Sequence, residues 1–336
     1  MKDSERNDLL NVPTELYWRG GKPGSYALLY AKGIAMGMGD SVPGISGGTI
    51  AVITNIYESL IFSIRRVDLR ALRLLLQGRL RDAWHHVNGT FLLLLAAGIL
   101  SGLLLSANTV LYLLEEWFVG LMAFFVGLVL ASAWLLQHSF SWRRPANLAA
   151  LALGVGLILA INTLPVQAAS LNLPYLFFCG AIAICAMILP GLSGAFILLL
   201  LGAYQTMLEA LLAAEIATIA VFISGCVLGL LLFSRLLAWL LASFHALSYA
   251  CIVGLLLGSL SVLWPWQRAV SFYVDSDGLR QTLRSENVSP LQYAHLTGEE
   301  PMLLLVAIAA VVGFALVLLL HRAFATVNAS EEKDSR

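Results

Sequence analysis

The sequence predicts an all-α polytopic membrane protein made of two inverted-topology repeats, each a re-entrant helical hairpin followed by three transmembrane helices. Three observations carry this prediction. Hydrophobic residues fill 59% of the 336 positions and charged residues only 12%, with a mean hydropathy of +0.84, whereas soluble domains carry about 25% charge. Six apolar runs are long enough to cross a hydrocarbon layer of about 30 Å. Two further apolar stretches are each interrupted near the middle by a Pro-Gly-rich break. Together these exclude soluble enzymes, nucleic-acid binders and secreted disulfide scaffolds, leaving a transporter, a channel or an intramembrane enzyme.

Residues 1–25 are polar and lack an apolar signal region with a small-residue cleavage site, so this segment is expected to stay in the cytoplasm. The first repeat covers 26–164. It opens with a hairpin over 26–64, broken at Pro43-Gly44-Ile45-Ser46-Gly47-Gly48-Thr49. Each half is about 15 residues, or about 22 Å of helix, enough to reach the midplane and return but too short to span comfortably. Residues 65–88 place Leu69, Leu72, Leu76, Leu80, Ala83, Trp84 and Val87 on one helical face and six arginines elsewhere. That pattern suits an interfacial helix on anionic lipid, and equally a solvated connector. Crossings follow at 89–107, 117–137 and 147–164.

The second repeat covers 174–320. Its hairpin, 174–212, breaks at Pro190-Gly191-Leu192-Ser193-Gly194-Ala195, and its crossings lie at 216–237, 247–264 and 302–320. The polar connection 265–300 reads as an outer lid or a plain loop, and 321–336 as a cytoplasmic tail. At an offset of 147, Pro43, Gly44, Ser46, Gly47, Ile50 and Tyr57 match Pro190, Gly191, Ser193, Gly194, Ile197 and Tyr204. If the first hairpin enters and leaves from the cytoplasm, 17 of the 20 basic residues fall inside, the exceptions being Arg268, Arg280 and Arg284. Basic residues collect on the cytoplasmic side, so the halves are expected in opposite orientations with both termini inside. Broken helices meeting at the midplane of inverted repeats are the plan of many secondary transporters.

The chemistry is expected at the breaks, because unpaired backbone in lipid costs several kcal/mol per group and survives where it lines a cavity or binds something. Each hairpin restarts as a helix at Ser-Gly, aiming amides with partial positive charge at the midplane. Gly47, Gly48 and Gly194 remove side chains from those amides, and Ser46, Thr49 and Ser193 add hydroxyls, which suits a phosphate. The same small residues also suit close hairpin packing. Asp40 sits just before the first break, where burial and the negative end of the entering half-helix raise the cost of ionising it, pointing to a proton-carrying role; capping the restarted helix is the other reading. Glu58, about 16 Å of helix further on, joins it as a proton-coupling candidate or a snorkelling acid, and Arg235 is the cation best placed for a phosphate, or again a snorkelling residue. Lys32, Arg65 and Arg66 flank the first hairpin. Cys179, Cys185, Cys226 and Cys251 read as small core residues, the six histidines form no pair by spacing, and no metal ligand set or cofactor motif is present.

The stretch from Met36 to Thr49, continued by Ile56-Tyr57-Glu58, resembles the signature of the bacterial polyprenyl-phosphate transporter (PopT-type) family, and Leu189 to Ala195 fits the same family. The resemblance spans about residues 26–320. It implies a flippase returning undecaprenyl phosphate to the inner leaflet of the bacterial cytoplasmic membrane, with the polyprenyl-phosphate lipid and membrane lipids as partners. Undecaprenyl-pyrophosphate phosphatases share re-entrant hairpins and a Pro-Gly-x-Ser motif. Theirs continues with Arg where this chain has Gly47 and Gly194, which argues against hydrolysis. A small-anion secondary transporter would use the same helix ends without a groove for a prenyl chain, and the sequence leaves that open, as it does oligomeric state.

Overall fold

The computed structural model describes residues 23–41, 46–164, 172–274 and 280–334. The polar N-terminus to residue 22 and, in the first break, Pro43 and Gly44 lie outside the described residues. The chain runs through α1 (Pro23–Asp40), α2 (Gly47–Ile53), α3 (Tyr57–Arg65), α4 (Leu69–Leu76), α5 (Leu80–His86), α6 (Gly89–Glu116), α7 (Phe118–Leu136) and α8 (Pro145–Thr163). It continues through α9 (Leu173–Ile188), α10 (Gly194–Leu200), α11 (Tyr204–Leu212), α12 (Ile216–Ser243) and α13 (His245–Ser259), then β1 (Gln267–Val274), β2 (Arg280–Asn287), α14 (Pro290–Thr297) and α15 (Leu303–Asp334). Among the described residues five helices are long and apolar enough to cross a membrane: α6, α7, α8, α12 and α15. The crossing expected at 247–264 is the shorter apolar helix α13, of 15 residues.

The two hairpins are built by the same local rules. Ser46, in extended conformation, accepts the Thr49 amide and starts α2; Ser193 does the same for α10 through the Phe196 amide, each an N-cap. α2 ends at left-handed Asn55 (φ 56), with the Ile56 amide reaching back to the Ala51 carbonyl at 2.9 Å. α10 ends at Gly202 (φ 67), with the Ala203 amide on the Leu198 carbonyl at 2.9 Å. Both are Schellman closures, which stop a helix by turning the chain left-handed. The axis therefore bends by 119° between α2 and α3 and by 110° between α10 and α11. Each returning limb is two short helices where the sequence predicts one half-helix.

Four long interfaces hold the bundle: α1 along α6, α9 along α12, α8 along α13, and α7 along α15. Exchanging the two halves maps these pairings onto one another. The close approaches match too. A Cβ on Gly33 would lie 2.7 Å from the Leu95 carbonyl, and one on its counterpart Gly180 would lie 2.5 Å from the Phe222 carbonyl. Gly98 and Gly102 press on α1 as Gly225 and Gly229 press on α9. Helices pack at this distance only where no side chain intervenes, which supplies van der Waals contact where lipid removes the hydrophobic drive. The main core joins both halves, from Ile50, Ile53 and Phe62 to Ile188, Leu237 and Leu256.

Two connections depart from simple expectation. The interfacial helix expected over 65–88 is a pair, α4 and α5, because Gly78 turns the chain at φ 72. The described residues of the connection 265–300 hold regular structure: β1 and β2 form an antiparallel ladder, α14 starts with a Ser289–Gln292 capping box, and Trp266 Nε1 donates to the Pro301 carbonyl at 2.9 Å. Burial and the Glu299 carboxylate, which accepts the Tyr293 hydroxyl at 2.7 Å, push that phenol up to about 12.

Candidate functional site

The two Pro-Gly breaks meet. Thr49 Oγ1 accepts the Gly191 amide at 2.9 Å, and Ser46 Oγ donates to the Leu189 carbonyl at 3.2 Å. Ser46 and Thr49 are only 1% and 2% exposed. Gly48 closes the joint, since a Cβ there would lie 2.5 Å from the Ile188 carbonyl. Gly191 is left-handed (φ 86), which turns its amide toward Thr49 and is a conformation glycine adopts without cost. The second break needs this turn; its Pro190 and Leu192 are buried beside it.

Asp40 is held at the same place. Its Oδ1 accepts the Gly47 amide at 2.5 Å, and a Cβ on Gly47 would come within 2.6 Å of Oδ2. The carboxylate thus lies on the first free amide of α2, where an anion is favoured by both the N–H and the helix dipole. The second hairpin has Met187 at the matching position, so among the described residues no side chain accepts from the Gly194 amide. Ser193 and Gly194 are half-buried. The structure thus brings together Asp40, Ser46, Gly47, Gly48 and Thr49 with Pro190 and Gly191, with Ser193 and Gly194 next along the chain.

Glu58 and Arg235 lie elsewhere. The Glu58 side chain is 13% exposed and accepts the Tyr249 hydroxyl at 2.5 Å, with His245 Nε2 at 3.7 Å from the same oxygen. The His245 and Tyr249 rings stack at 4.5 Å. His245, 56% exposed, leads from this buried acid to the protein surface. Two of the six histidines meet acids through space, His245 with Glu58 and His86 with Asp68. Arg235 donates to the Leu231 and Val67 carbonyls at 3.0 and 3.1 Å, tying α12 to the chain just after α3. Lys32 donates to the Thr54 carbonyl at 2.8 Å, bracing α1 against the end of α2. Tyr249 and His245 were invisible as partners of Glu58 in the sequence; their only signal is two polar rings four residues apart on one face of an apolar helix.

Cys179, Cys185, Cys226 and Cys251 are free thiols. Among the described residues no group of acids, histidines and cysteines has the arrangement of a metal site.

A family model described as undecaprenyl phosphate translocase-like matches residues 36–281, which include both breaks and the Glu58–Tyr249 pair. The chain belongs to this family. It is 38% identical over 304 residues to a polyprenyl-phosphate transporter of Vibrio cholerae, a match covering 90% of this chain and 98% of that one. It is 29% identical over 254 residues to a polyprenyl-phosphate transporter of Staphylococcus aureus, covering 70% of this chain and 84% of the other. No solved structure matches the chain. The matched region includes the joined breaks and Asp40, while the first 35 residues and the last helix lie outside it.

Proposed function

We infer that this multi-pass membrane protein is a transporter of polyprenyl phosphate lipids, returning undecaprenyl phosphate from the outer to the inner leaflet of the bacterial cytoplasmic membrane. The observation that carries this reading is the joint itself: two Pro-Gly-x-Ser segments, hydrogen-bonded to each other in the protein interior. Family membership and the names of both relatives support the substrate class. The halves are proposed to insert in opposite senses with both termini cytoplasmic. The exchange-symmetric helix pairing and the 17 basic residues on one side support that arrangement.

The phosphate is proposed to bind between the breaks, at Ser46, Gly47, Gly48, Thr49, Ser193 and Gly194, with Arg235 meeting it nearer the end of α12. In the conformation described here Asp40 occupies the Gly47 amide, and Ser46 and Thr49 are engaged across the joint. Phosphate entry then requires that joint to open. An ionised Asp40 and a phosphate oxygen compete for one amide, and a charged acceptor binds about twice as strongly as a neutral one. Protonating Asp40 weakens its hold and removes a charge that would repel the lipid. Binding of lipid and proton are therefore coupled by exclusion, not by contact. Glu58, Tyr249 and His245 offer the proton a path toward the surface.

The coupling answers an energetic need. Moving one negative charge inward against a potential negative inside costs about 2.3 kcal/mol per 100 mV, and a co-transported proton cancels it. In proteoliposomes loaded with a short-chain fluorescent prenyl phosphate, Asp40→Asn is expected to exchange lipid between leaflets without responding to a pH gradient. A full gradient response in the variant makes Asp40 a structural cap. Inorganic phosphate competing as well as the lipid would turn the reading toward a small-anion transporter.

A further inference from the structure

The pair α4–α5 has no counterpart in the second half, where three residues, 213–215, link α11 directly to α12. It is a preformed element. The turn at Gly78 is closed by the Arg79 amide on the Leu74 carbonyl at 2.9 Å. Its open end is clasped by His86 Nε2 on Asp68 Oδ1 at 3.1 Å and by Arg66 donating to the His86 carbonyl. Ala71 and Ala83, both 4% exposed, are the buried positions of the two helices, which pack on each other, α5 also meeting α6. Between the two helices lies an open groove of about 740 Å³, lined by Arg70, Arg73, Arg79 and His85 with Leu69 and Leu74. That is within the range of small-molecule sites.

Charge and exposure say what the groove accepts. Asp82 is the lining carboxylate, and it is taken by Arg79 at 2.7 Å. Among the described residues no carboxylate lies in ion-pairing range of Arg70 or Arg73. Guanidinium forks favour planar, bidentate recognition of phosphate oxygens. Beside them an apolar surface stands uncovered, with Leu69 and Leu76 each 80% exposed and Leu80 67%. A cationic groove rimmed by leucines fits a molecule with a phosphate head and a hydrocarbon body, and a free phosphate would leave the rim unused.

We propose that the α4–α5 pair is a binding site for an anionic phospholipid of the bilayer, its phosphate held by Arg70 and Arg73 and its acyl chains lying on the exposed leucines. The site is separate from the joined breaks and does not depend on the transport reading. It would anchor the exit of the first hairpin to one leaflet.

The test is native mass spectrometry of the purified full chain in detergent, titrated with phosphatidylglycerol, phosphatidylcholine, a short-chain prenyl phosphate or inorganic phosphate. Phosphatidylglycerol is expected to be retained in preference to phosphatidylcholine and inorganic phosphate, while the prenyl phosphate, bound at the joined breaks, is retained with or without Arg70 and Arg73. Arg70→Gln/Arg73→Gln should weaken that affinity about thirtyfold, from two basic residues at an anionic surface, while Arg143→Gln/Arg144→Gln, removing the same charge from the connection between α7 and α8, should leave it unchanged. Thermal unfolding of each variant checks that it is folded. Equal losses in both double variants, or retention that ignores the arginines, would overturn the proposal. Loss of prenyl-phosphate retention in Arg70→Gln/Arg73→Gln, or equal displacement of phosphatidylglycerol by inorganic phosphate, overturns it as well and assigns the groove to the transported lipid or to free anions.

Discussion

The two hairpins share a length, a Pro-Gly-x-Ser break, a serine cap and a left-handed bend at the same position, yet the acids Asp40 and Glu58 of the first have no acidic counterpart in the second. Where hairpin one has Asp40 on the Gly47 amide, hairpin two has Met187 and an amide with no side-chain partner among the described residues. Where hairpin one has Glu58 bonded to Tyr249 on α13, hairpin two has Gln205, which donates to Glu209 on its own helix. Repeated backbone thus supplies the symmetric frame, and unrepeated side chains give it a direction. A carrier with identical halves would present the same chemistry to both leaflets. This one keeps Asp40 and Glu58, and its basic α4–α5 pair, on one half, with Tyr249 and His245 of the other half as partners of Glu58.

The largest expected effect tests whether the halves really face opposite ways. Single cysteines placed in 65–88 and in 265–300, in a background without native cysteines, should label from opposite sides of the membrane with an impermeant thiol reagent. Labelling from the same side removes the inverted arrangement and the midplane site with it.

Next in size is the contrast between Gly47 and Gly194. A side chain at Gly47 runs into the Asp40 carboxylate at 2.6 Å, whereas a Cβ at Gly194 meets the Ala183 carbonyl at 3.1 Å. Relief at Gly47 comes from pushing the Asp40 carboxylate off the amide, a charge-assisted hydrogen bond worth about 1.5–3 kcal/mol, so Gly47→Ala should change the pH-gradient dependence of lipid transport and Gly194→Ala should leave it closer to wild type. The rates are read in proteoliposomes against equal amounts of folded protein. Equal changes would mean that Asp40 contributes nothing to the asymmetry.

A smaller difference separates the two caps. Ser193→Ala removes an N-cap worth about 1 kcal/mol. Ser46→Ala removes its cap and also the donor to Leu189 across the joint, adding about 1 kcal/mol. Tryptophan fluorescence during thermal unfolding should show the Ser46 variant melting below the Ser193 variant. Coincident curves would mean that the joint contributes little to stability.

The smallest effect lies in the clasp that only the first half has. Burial pushes the Asp68 carboxyl up, but the Ala71 amide and His86 outweigh it and hold the carboxyl below its usual range. A lowered folded value means the contribution is complete above the unfolded value, about pH 4, and is lost as pH falls through the folded value. Solvent screening at this part-exposed site keeps it under about 1 kcal/mol. Asp68→Asn should flatten the acid limb of stability measured between about pH 5 and 2, and an unchanged limb would assign acid sensitivity to other carboxylates.

Much of this was legible before any coordinates. Membrane class follows from composition, and the repeat from the spacing of Pro43, Gly44 and Ser46 to their counterparts. The helix restarts at Ser-Gly are legible too, but Ser46 and Ser193, expected as hydroxyls for a phosphate, cap α2 and α10, a role decided within one turn of chain. The bends at Asn55 and Gly202 were missed although both residue types favour left-handed conformations, because they lie inside apolar runs that read as continuous helix. The strands of 267–274 and 280–287 were missed because a membrane-length window averages over a short ladder.

What the sequence determined by itself is whatever depends on neighbours along the chain: apolar length, the breaks, the caps, and the presence of one acid at the mouth of the first break. Only the tertiary structure decided which distant groups meet. Thr49 finds Gly191 across 142 residues, and Glu58 finds Tyr249 across 191. No periodicity encodes such pairs, because they depend on how helices cross, and those crossings are set by the few glycines that let backbones touch. Asp40 shows both levels at once. Its place in the chain marks it as an acid at a helix break, and only the fold lays it on the Gly47 amide, seven residues on.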